Sequence, residues 1–249
     1  MQCVILAGGL GTRIRARSGD LPKALIPILG KPFIFYQLEW LAQQRVQDVI
    51  VSVGYQGELI EDAIGNGSRF GLSVTVAKEG ETLRGTGGAL RLAADLDLLD
   101  RGFFVIYGDS YLPIDLAPIW QASENGSVCT MAVMRNRGKW DKSNVLFRDG
   151  ELIIYDKFAA DPSALGMQHI DYGVSVLTRD VICEAFAPGG VAELATLLNR
   201  LSKERRLKGY EVFKRFYEIG SPSGLDDFEC YLRDQKKLPR TVCSREPRL

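Results

Sequence analysis

MQCVILAGGLGTR, residues 1–13, carries an apolar run, Gln2–Ala7, that stops at a turn containing Gly8, Gly9 and Gly11. A short apolar run bounded by glycine reads as a buried strand whose carboxyl end opens into a loop. Outward from there, the spacing predicts a helix over Phe33–Arg45, where Ile34, Leu38 and Leu41 share one face. Strands are expected at Asp48–Val53, Leu72–Ala77 and Phe103–Tyr107, alternating with helices at Gln56–Ile64 and Thr86–Leu99. Strands separated by helical runs imply parallel βαβ units. VILA, VIVSV and FFVIY are nearly continuous apolar runs, as expected when helices cover both faces of a parallel sheet.

The expected fold is therefore α/β, a Rossmann-like doubly wound and mostly parallel sheet. From about residue 125 the pattern turns strand-rich, with runs at Val128–Met134, Asn144–Phe147, Glu151–Tyr155 and Ile170–Leu177. Arg148–Gly150 reads as a hairpin turn between the middle two. Helices follow at Val191–Lys203 and Pro222–Lys236. We expect one domain over residues 1–238, its first half (1–125) holding the glycine loops and its second (126–238) a smaller extension, then a flexible tail over 239–249.

With 249 residues, 46% of them hydrophobic, the chain can bury a sizeable core. Its 31 basic and 31 acidic residues cancel, so no global field draws it to nucleic acid or an anionic membrane. An anionic ligand must then be held by a local site. Five cysteines lie far apart with no CxxC pair, which suggests neither a disulfide framework nor a zinc site. No basic segment precedes the first apolar run and no stretch of about 20 apolar residues occurs, so neither a signal peptide nor a membrane span is expected. A cytoplasmic location is the corresponding expectation.

Ligands in doubly wound sheets collect at the carboxyl ends of the strands. Two glycine-containing loops stand there. The first runs from Leu6 and Ala7 through Gly8, Gly9, Gly11 and Thr12 to Arg13, with Lys23 ten residues on. Glycines admit backbone N–H groups close to a phosphate and fixed cations neutralise it, so this loop reads as a polyphosphate cradle. The dinucleotide fingerprint GxGxxG fails at Ile14, and the P-loop pattern fails because Pro32 follows Gly30-Lys31. The second loop, Gly108-Asp109-Ser110, sets a carboxylate at a strand end, a hard oxygen ligand suited to Mg2+.

The segment from Leu6 to Lys23 resembles the signature of the sugar-1-phosphate nucleotidyltransferases, written GGxGxRL…PK. Here Ile14 and Arg15-Ala16-Arg17-Ser18 replace the usual residues after the arginine. Glu79 to Ala89 resembles that family's base-binding segment, with Arg84 inserted before Gly85. Phe216 to Pro222 resembles its W-x-D-I-G-T-P segment, with Glu218 near the usual aspartate. Asp156-Lys157 and Ile170-Asp171-Tyr172-Gly173 resemble its E-K and N-x-G segments.

This resemblance implies that the Gly8–Thr12 backbone holds a nucleoside triphosphate, that Arg13 binds the departing pyrophosphate and that Lys23 contacts the α-phosphate or the sugar phosphate. Gly85 and Thr86 would lie against the base, and Glu79 or Glu81 would suit the N–H donors of guanine. Lys157 would bind the sugar phosphate, with Asp171 and the Gly173 backbone on sugar hydroxyls. Mg2+, the implied cofactor, would sit on Asp109 and Glu218. Two local alternatives stay open: Thr86 as a plain helix N-cap, and Ser221 as the N-cap of a helix beginning at Pro222. His169, the sole histidine, reads as structural.

The implied reaction is attack of a sugar-1-phosphate oxygen on the α-phosphorus of the triphosphate, releasing pyrophosphate, with no side-chain nucleophile. The FYEIGSP and DYGVSVL wording most resembles the D-glycero-α-D-manno-heptose 1-phosphate guanylyltransferases of surface-polysaccharide pathways, with GTP as donor. Mannose-1-phosphate guanylyltransferases and uridylyl, thymidylyl or cytidylyl relatives are the alternatives within the class. A non-catalytic nucleotide sensor and an NAD-dependent oxidoreductase are those outside it. The family implies dimers or tetramers, and the chain reads as a stand-alone transferase without a hexapeptide-repeat extension.

Overall fold

The computed structural model describes residues 1–9, 21–80, 82–136 and 138–235. β1 (Gln2–Leu6) precedes two short strands, β2 (Pro27–Ile28) and β3 (Lys31–Pro32), and helix α1 (Phe33–Gln43). β4 (Asp48–Val53), α2 (Gly57–Ile64), β5 (Ser73–Lys78), α3 (Gly85–Asp95) and β6 (Gly102–Tyr107) continue the alternation. β7 (Ser110–Tyr111), α4 (Ala117–Ala122) and β8 (Thr130–Arg135) lead to a hairpin of β9 (Val145–Arg148) and β10 (Glu151–Tyr155). Then come β11 (His169–Thr178), α5 (Arg179–Ala185), α6 (Leu194–Lys203), β12 (Lys208–Val212), β13 (Tyr217–Glu218) and α7 (Pro222–Gln235).

Nine of these strands form one sheet. β6, β1, β4 and β5 lie side by side and parallel, with Leu6 of β1 flanked by Ser52 on one side and Tyr107 on the other. β4, the next strand of this sheet in the chain, lies on one side of β1 and β6 on the other, so the strand order reverses at β1 and the carboxyl ends of β1 and β6 border a crevice. Beyond β6 the sheet continues through β11, antiparallel to it, and then β8 and β12, while the β9–β10 hairpin joins at the His169–Val145 pair. The sheet is thus common to both halves of the chain.

β1 is buried along its whole length because its two faces feed different cores. Cys3 and Ile5 pack with Ile34, Leu38 and Leu41 of α1 and with Ile60 of α2. Val4 and Leu6 pack on the opposite face with Leu90 of α3 and Leu198 of α6. A third cluster fastens α7 to α1: the Phe228 ring lies 5.5 Å from Phe33, 5.6 Å from Tyr36 and 4.8 Å from Tyr111.

Expected and observed elements agree in type, and several differ at their ends. The helix expected from Val191 begins at Leu194, and the one expected to reach Leu99 ends at Asp95. α4, α5 and β12 carry too little periodicity in the sequence to be expected. Cys230 is disulfide-bonded, which corrects at that position the reading that the spacing suggests no disulfide, while Cys3, Cys129 and Cys183 are free. Lys236 and the expected tail lie outside the described residues, and among the described residues no helix is long and apolar enough to cross a membrane.

Phe228 is fully buried at the centre of the third cluster. Phe228→Ala is expected to lower stability by about 3–5 kcal/mol in chemical denaturation, the usual loss for emptying such a site. A change under 1 kcal/mol would show that α7 is not anchored there.

Candidate functional site

A cavity of about 450 Å3 occupies the crevice between the ends of β1 and β6. Its floor is backbone: Leu6, Ala7, Gly8, Gly9 and Gly108. These strand ends meet because side chains are missing. A Cβ at Gly108 would stand 2.8 Å from both Ala7 Cα and Leu6 O, and one at Gly8 would collide with Glu79 Oε1. Glu79 is itself buried and accepts the Arg84 N–H at 2.6 Å. Burial pushes its carboxyl above the usual range, an effect partly offset by that N–H and by the Arg84 charge.

The opposite wall is the start of α3 clasped to the segment before α6. Gly87 N and Gly88 N both donate to Ala192 O, at 2.8 and 3.2 Å, and Ala192 N donates to Arg84 O at 2.9 Å. Cβ atoms at Gly85 and Gly88 would each lie 2.6 Å from a backbone oxygen of this segment, so glycine is what allows the contact. Thr86 does not cap its own helix. Its hydroxyl accepts the Leu194 N–H at 2.8 Å, at the start of α6, and donates to Glu193 at 2.9 Å. The two helix starts thus satisfy each other's unpaired N–H groups, a need every helix end carries.

At the mouth of the cavity stand three charges. Lys23 Nζ lies 2.9 Å from Asp109 Oδ2. A Cβ built on Gly220 would meet Glu218 Oε2 at 2.5 Å, Lys23 Nζ at 3.3 Å and Asp109 Oδ2 at 3.4 Å, so all three groups converge on one point. A two-stranded ladder brings this about, since Glu218 of β13 pairs with Ser110 of β7 and Ile219 N donates to Asp109 O at 2.9 Å. Glu218 is steadied by Gly220 N at 2.5 Å and the Ser221 hydroxyl at 2.7 Å. Ser221 Oγ in turn accepts from Gly224 N at 3.0 Å and caps α7, so the capping and carboxylate-positioning readings hold together.

Gln37 holds the same turn from behind. Fully buried on α1, it donates through Nε2 to Tyr107 O at 2.9 Å and Ser110 O at 2.8 Å, spanning Asp109. Tyr107 has its hydroxyl pKa raised well above the ordinary value, chiefly by burial and then by the charges of Asp171, Tyr155, Asp109 and Glu193. Asp171 sits just before an irregularity in β11, where Gly173 adopts φ +96° and donates its N–H to Asp171 at 2.9 Å. A side chain at Gly173 would be strained there and would face Ser110. Burial raises the Asp171 carboxyl to about 6, against the pull of the Gly173 N–H and of Lys157.

The cavity therefore gathers Leu6, Ala7, Gly8, Gly9, Lys23, Glu79, Gly85, Thr86, Gly108 and Asp109 from the expected site residues. Glu218 joins through Lys23 and Asp109. Lys157, Asp171 and Gly173 do not line the cavity and sit beyond Tyr107. Gly11, Thr12, Arg13 and Glu81 lie outside the described residues. Sequence reasoning missed Gln37, Ser52, Tyr107, Val191 and Glu193. A glutamine on the apolar face of α1 was a usable signal for Gln37, whereas Val191 and Glu193 read as part of a helix.

Known proteins agree with this architecture. The Nucleotidyl transferase family model matches residues 2–141. D-glycero-alpha-D-manno-heptose 1-phosphate guanylyltransferase of Aneurinibacillus thermoaerophilus is 28% identical over 97% of this chain and all of its own length. The protein of that name from Campylobacter jejuni is 30% identical over 89% of this chain and 96% of its own. Among solved structures, HddC from Yersinia pseudotuberculosis complexed with GMP-PN superposes with a TM-score of 0.74 at 27% identity, covering 95% of this chain and 99% of that one. The chain belongs to the nucleotidyl transferase family.

The Asp171 shift has a testable sign. A carboxyl raised in the folded state stabilises most at low pH and loses that contribution as pH climbs through its folded value. The stability of Asp171→Asn relative to the unsubstituted chain should thus increase between about pH 4 and pH 6, by on the order of 2–3 kcal/mol, then level off. Denaturation midpoints that run parallel across this range would refute the shift.

Proposed function

We propose that the chain transfers a nucleoside monophosphate from a nucleoside triphosphate to a sugar 1-phosphate and releases pyrophosphate. GTP and D-glycero-α-D-manno-heptose 1-phosphate are the proposed pair, serving surface-polysaccharide assembly from the cytoplasm. The observation that carries the reading is the convergence of Lys23, Asp109 and Glu218 over Gly220, at the mouth of a backbone-floored cavity. Family membership and the two heptose-phosphate guanylyltransferase relatives support it.

In this reading the Leu6–Gly9 backbone and Gly108 seat the triphosphate, since glycine lets phosphate oxygens come close. Glu79 offers a buried acceptor for the N–H edge of guanine. Lys23 neutralises the phosphate at the reacting centre and Arg13 the departing pyrophosphate. The second half of the chain, 126–238, receives the sugar phosphate, with Lys157 on the phosphate and Asp171 and Gly173 on hydroxyls.

Asp109 and Glu218 fit Mg2+, which takes one or two protein carboxylates and completes its shell with substrate phosphates and water. Both carboxylates face one point, and Glu218 keeps lone pairs beyond its bonds to Gly220 and Ser221. When bound there, Mg2+ would supply charge neutralisation on the phosphate oxygens. Asp109 is set by Gln37 and the β7–β13 ladder, so this chain's part is to hold the reactants in line.

The test is a matrix of nucleoside triphosphates against sugar 1-phosphates with Mg2+, reading pyrophosphate. GTP with the manno-heptose phosphate should give the highest kcat/KM. Asp109→Ala, Lys23→Ala and Arg13→Ala should each lower turnover on the order of 100-fold or more, as loss of one such electrostatic contact does. Chelation should abolish the reaction and added Mg2+ restore it. Near-normal turnover in Asp109→Ala would refute the assignment, while a preference for UTP or dTTP would retain the reaction and replace the substrate pair.

A further inference from the structure

A second cavity, of about 410 Å3, opens between the β9–β10 turn, the start of β11 and β12, and it shares no lining residue with the first. Its origin is topological. β9 meets β11 at one pair only, His169 with Val145, so Leu146–Arg148 runs on past the start of β11 and leaves a concavity.

Charged groups ring it. Arg135 ends β8, Arg148 ends β9, Asp149 lies in the turn that follows, and Glu211 belongs to β12. The floor is Phe147 packed edge-on against His169, ring centroids 5.2 Å apart. His169 Nε2 lies 3.1 Å from Glu211 Oε1, so that carboxylate already has a partner. The guanidiniums are less committed. Among the described residues, Arg135 bonds only the amide oxygen of Gln168, at 3.2 Å, and Arg148 has neither ion pair nor hydrogen bond through its side chain. His169 is more than nine-tenths buried, yet its Nδ1 has no hydrogen-bond partner among the described residues. Buried polar atoms are rarely left so, and each asks for an explanation.

We propose that this cavity is a second binding site, for a phosphorylated sugar. Arg135 and Arg148 take the phosphate, because guanidinium forks match phosphate oxygens in geometry as well as charge. Gln168, Asp149 and Glu211 take hydroxyl groups. A bare anion fits less well, since two carboxylates share the lining and would repel it. Phe147 supplies the apolar patch on which a sugar ring face rests, and the volume falls in the ordinary range of small-molecule sites. The inference concerns binding alone and is independent of the reaction proposed for the first cavity.

His169 is the only histidine in the chain, so its imidazole resonances report on this cavity without assignment. At fixed pH, mannose 1-phosphate should shift them saturably, inorganic phosphate should do so more weakly, and mannose at equal concentration should not. Asp109→Ala, in the first cavity, should leave the titration intact. The double variant Arg135→Glu/Arg148→Glu should weaken it about 100-fold, the effect of losing two charge-assisted contacts. The double variant should keep the circular dichroism spectrum and a denaturation midpoint close to those of the unsubstituted chain, which shows that it folds. A non-saturating titration, an equal response to mannose, a titration abolished by Asp109→Ala, or one unchanged in the double variant would each overturn the proposal.

Discussion

Two carboxylates brought toward one point repel each other, and the molecule is built around holding them there. Asp109 and Glu218 both face the space over Gly220, and Lys23 supplies the nearest compensating charge. One ammonium does not balance two carboxylates. The remainder is borne by backbone: Gly220 N and the Ser221 hydroxyl bind Glu218, and the β7–β13 ladder fixes its distance from Asp109. The aromatic cluster around Phe228 then locks β13 and α7 onto α1, whose Gln37 grips the Asp109 turn. A negative site able to receive a cation is thus secured by apolar packing some distance behind it.

The same economy of side chains shapes the crevice between β1 and β6. Gly8 and Gly108 let the ends of β1 and β6 approach Glu79 and Ala7 so closely that any Cβ would intrude. On the facing wall, Gly85 and Gly88 let α3 lie against the 190–192 backbone, and the Thr86 hydroxyl bridges to α6. The first N–H groups of α3 are consequently spent on Ala192 O. α3 thus contributes a wall to the cavity, with these N–H groups already engaged.

The doubly wound half was legible in the sequence because its strands are buried on both faces and its helices carry one apolar stripe each. Gln2–Leu6, Asp48–Val53 and Gly102–Tyr107 stand where the apolar runs put them. The Asp109 turn was legible for the same reason, being a glycine-aspartate pair at the end of such a run. Glu218 was not readable in that way, since nothing local says that residue 218 pairs with residue 110. Only resemblance pointed to it. Val191 and Glu193 were read as helix because their neighbours are, yet Ala192 between them is tied to Gly87 and Gly88, Glu193 is extended, and the helix starts only at Leu194. β12 was missed because a parallel edge partner of β8 with exposed and half-buried residues shows no alternation.

Tyr107 is where the two halves become one machine. It ends β6, whose partners are β1 on the nucleotide side and β11 on the other. Burial chiefly raises its hydroxyl pKa well above the ordinary value, and the nearby Asp171 and Asp109 raise it further. Burial raises the Asp171 carboxyl to about 6, against the pull of the Gly173 N–H and of Lys157. A carboxyl in that range can donate as well as accept, which suits hydroxyl groups better than a cation. The two acids therefore differ in their surroundings: Asp109 has the Lys23 ammonium at 2.9 Å, whereas Asp171 is buried and accepts the Gly173 N–H.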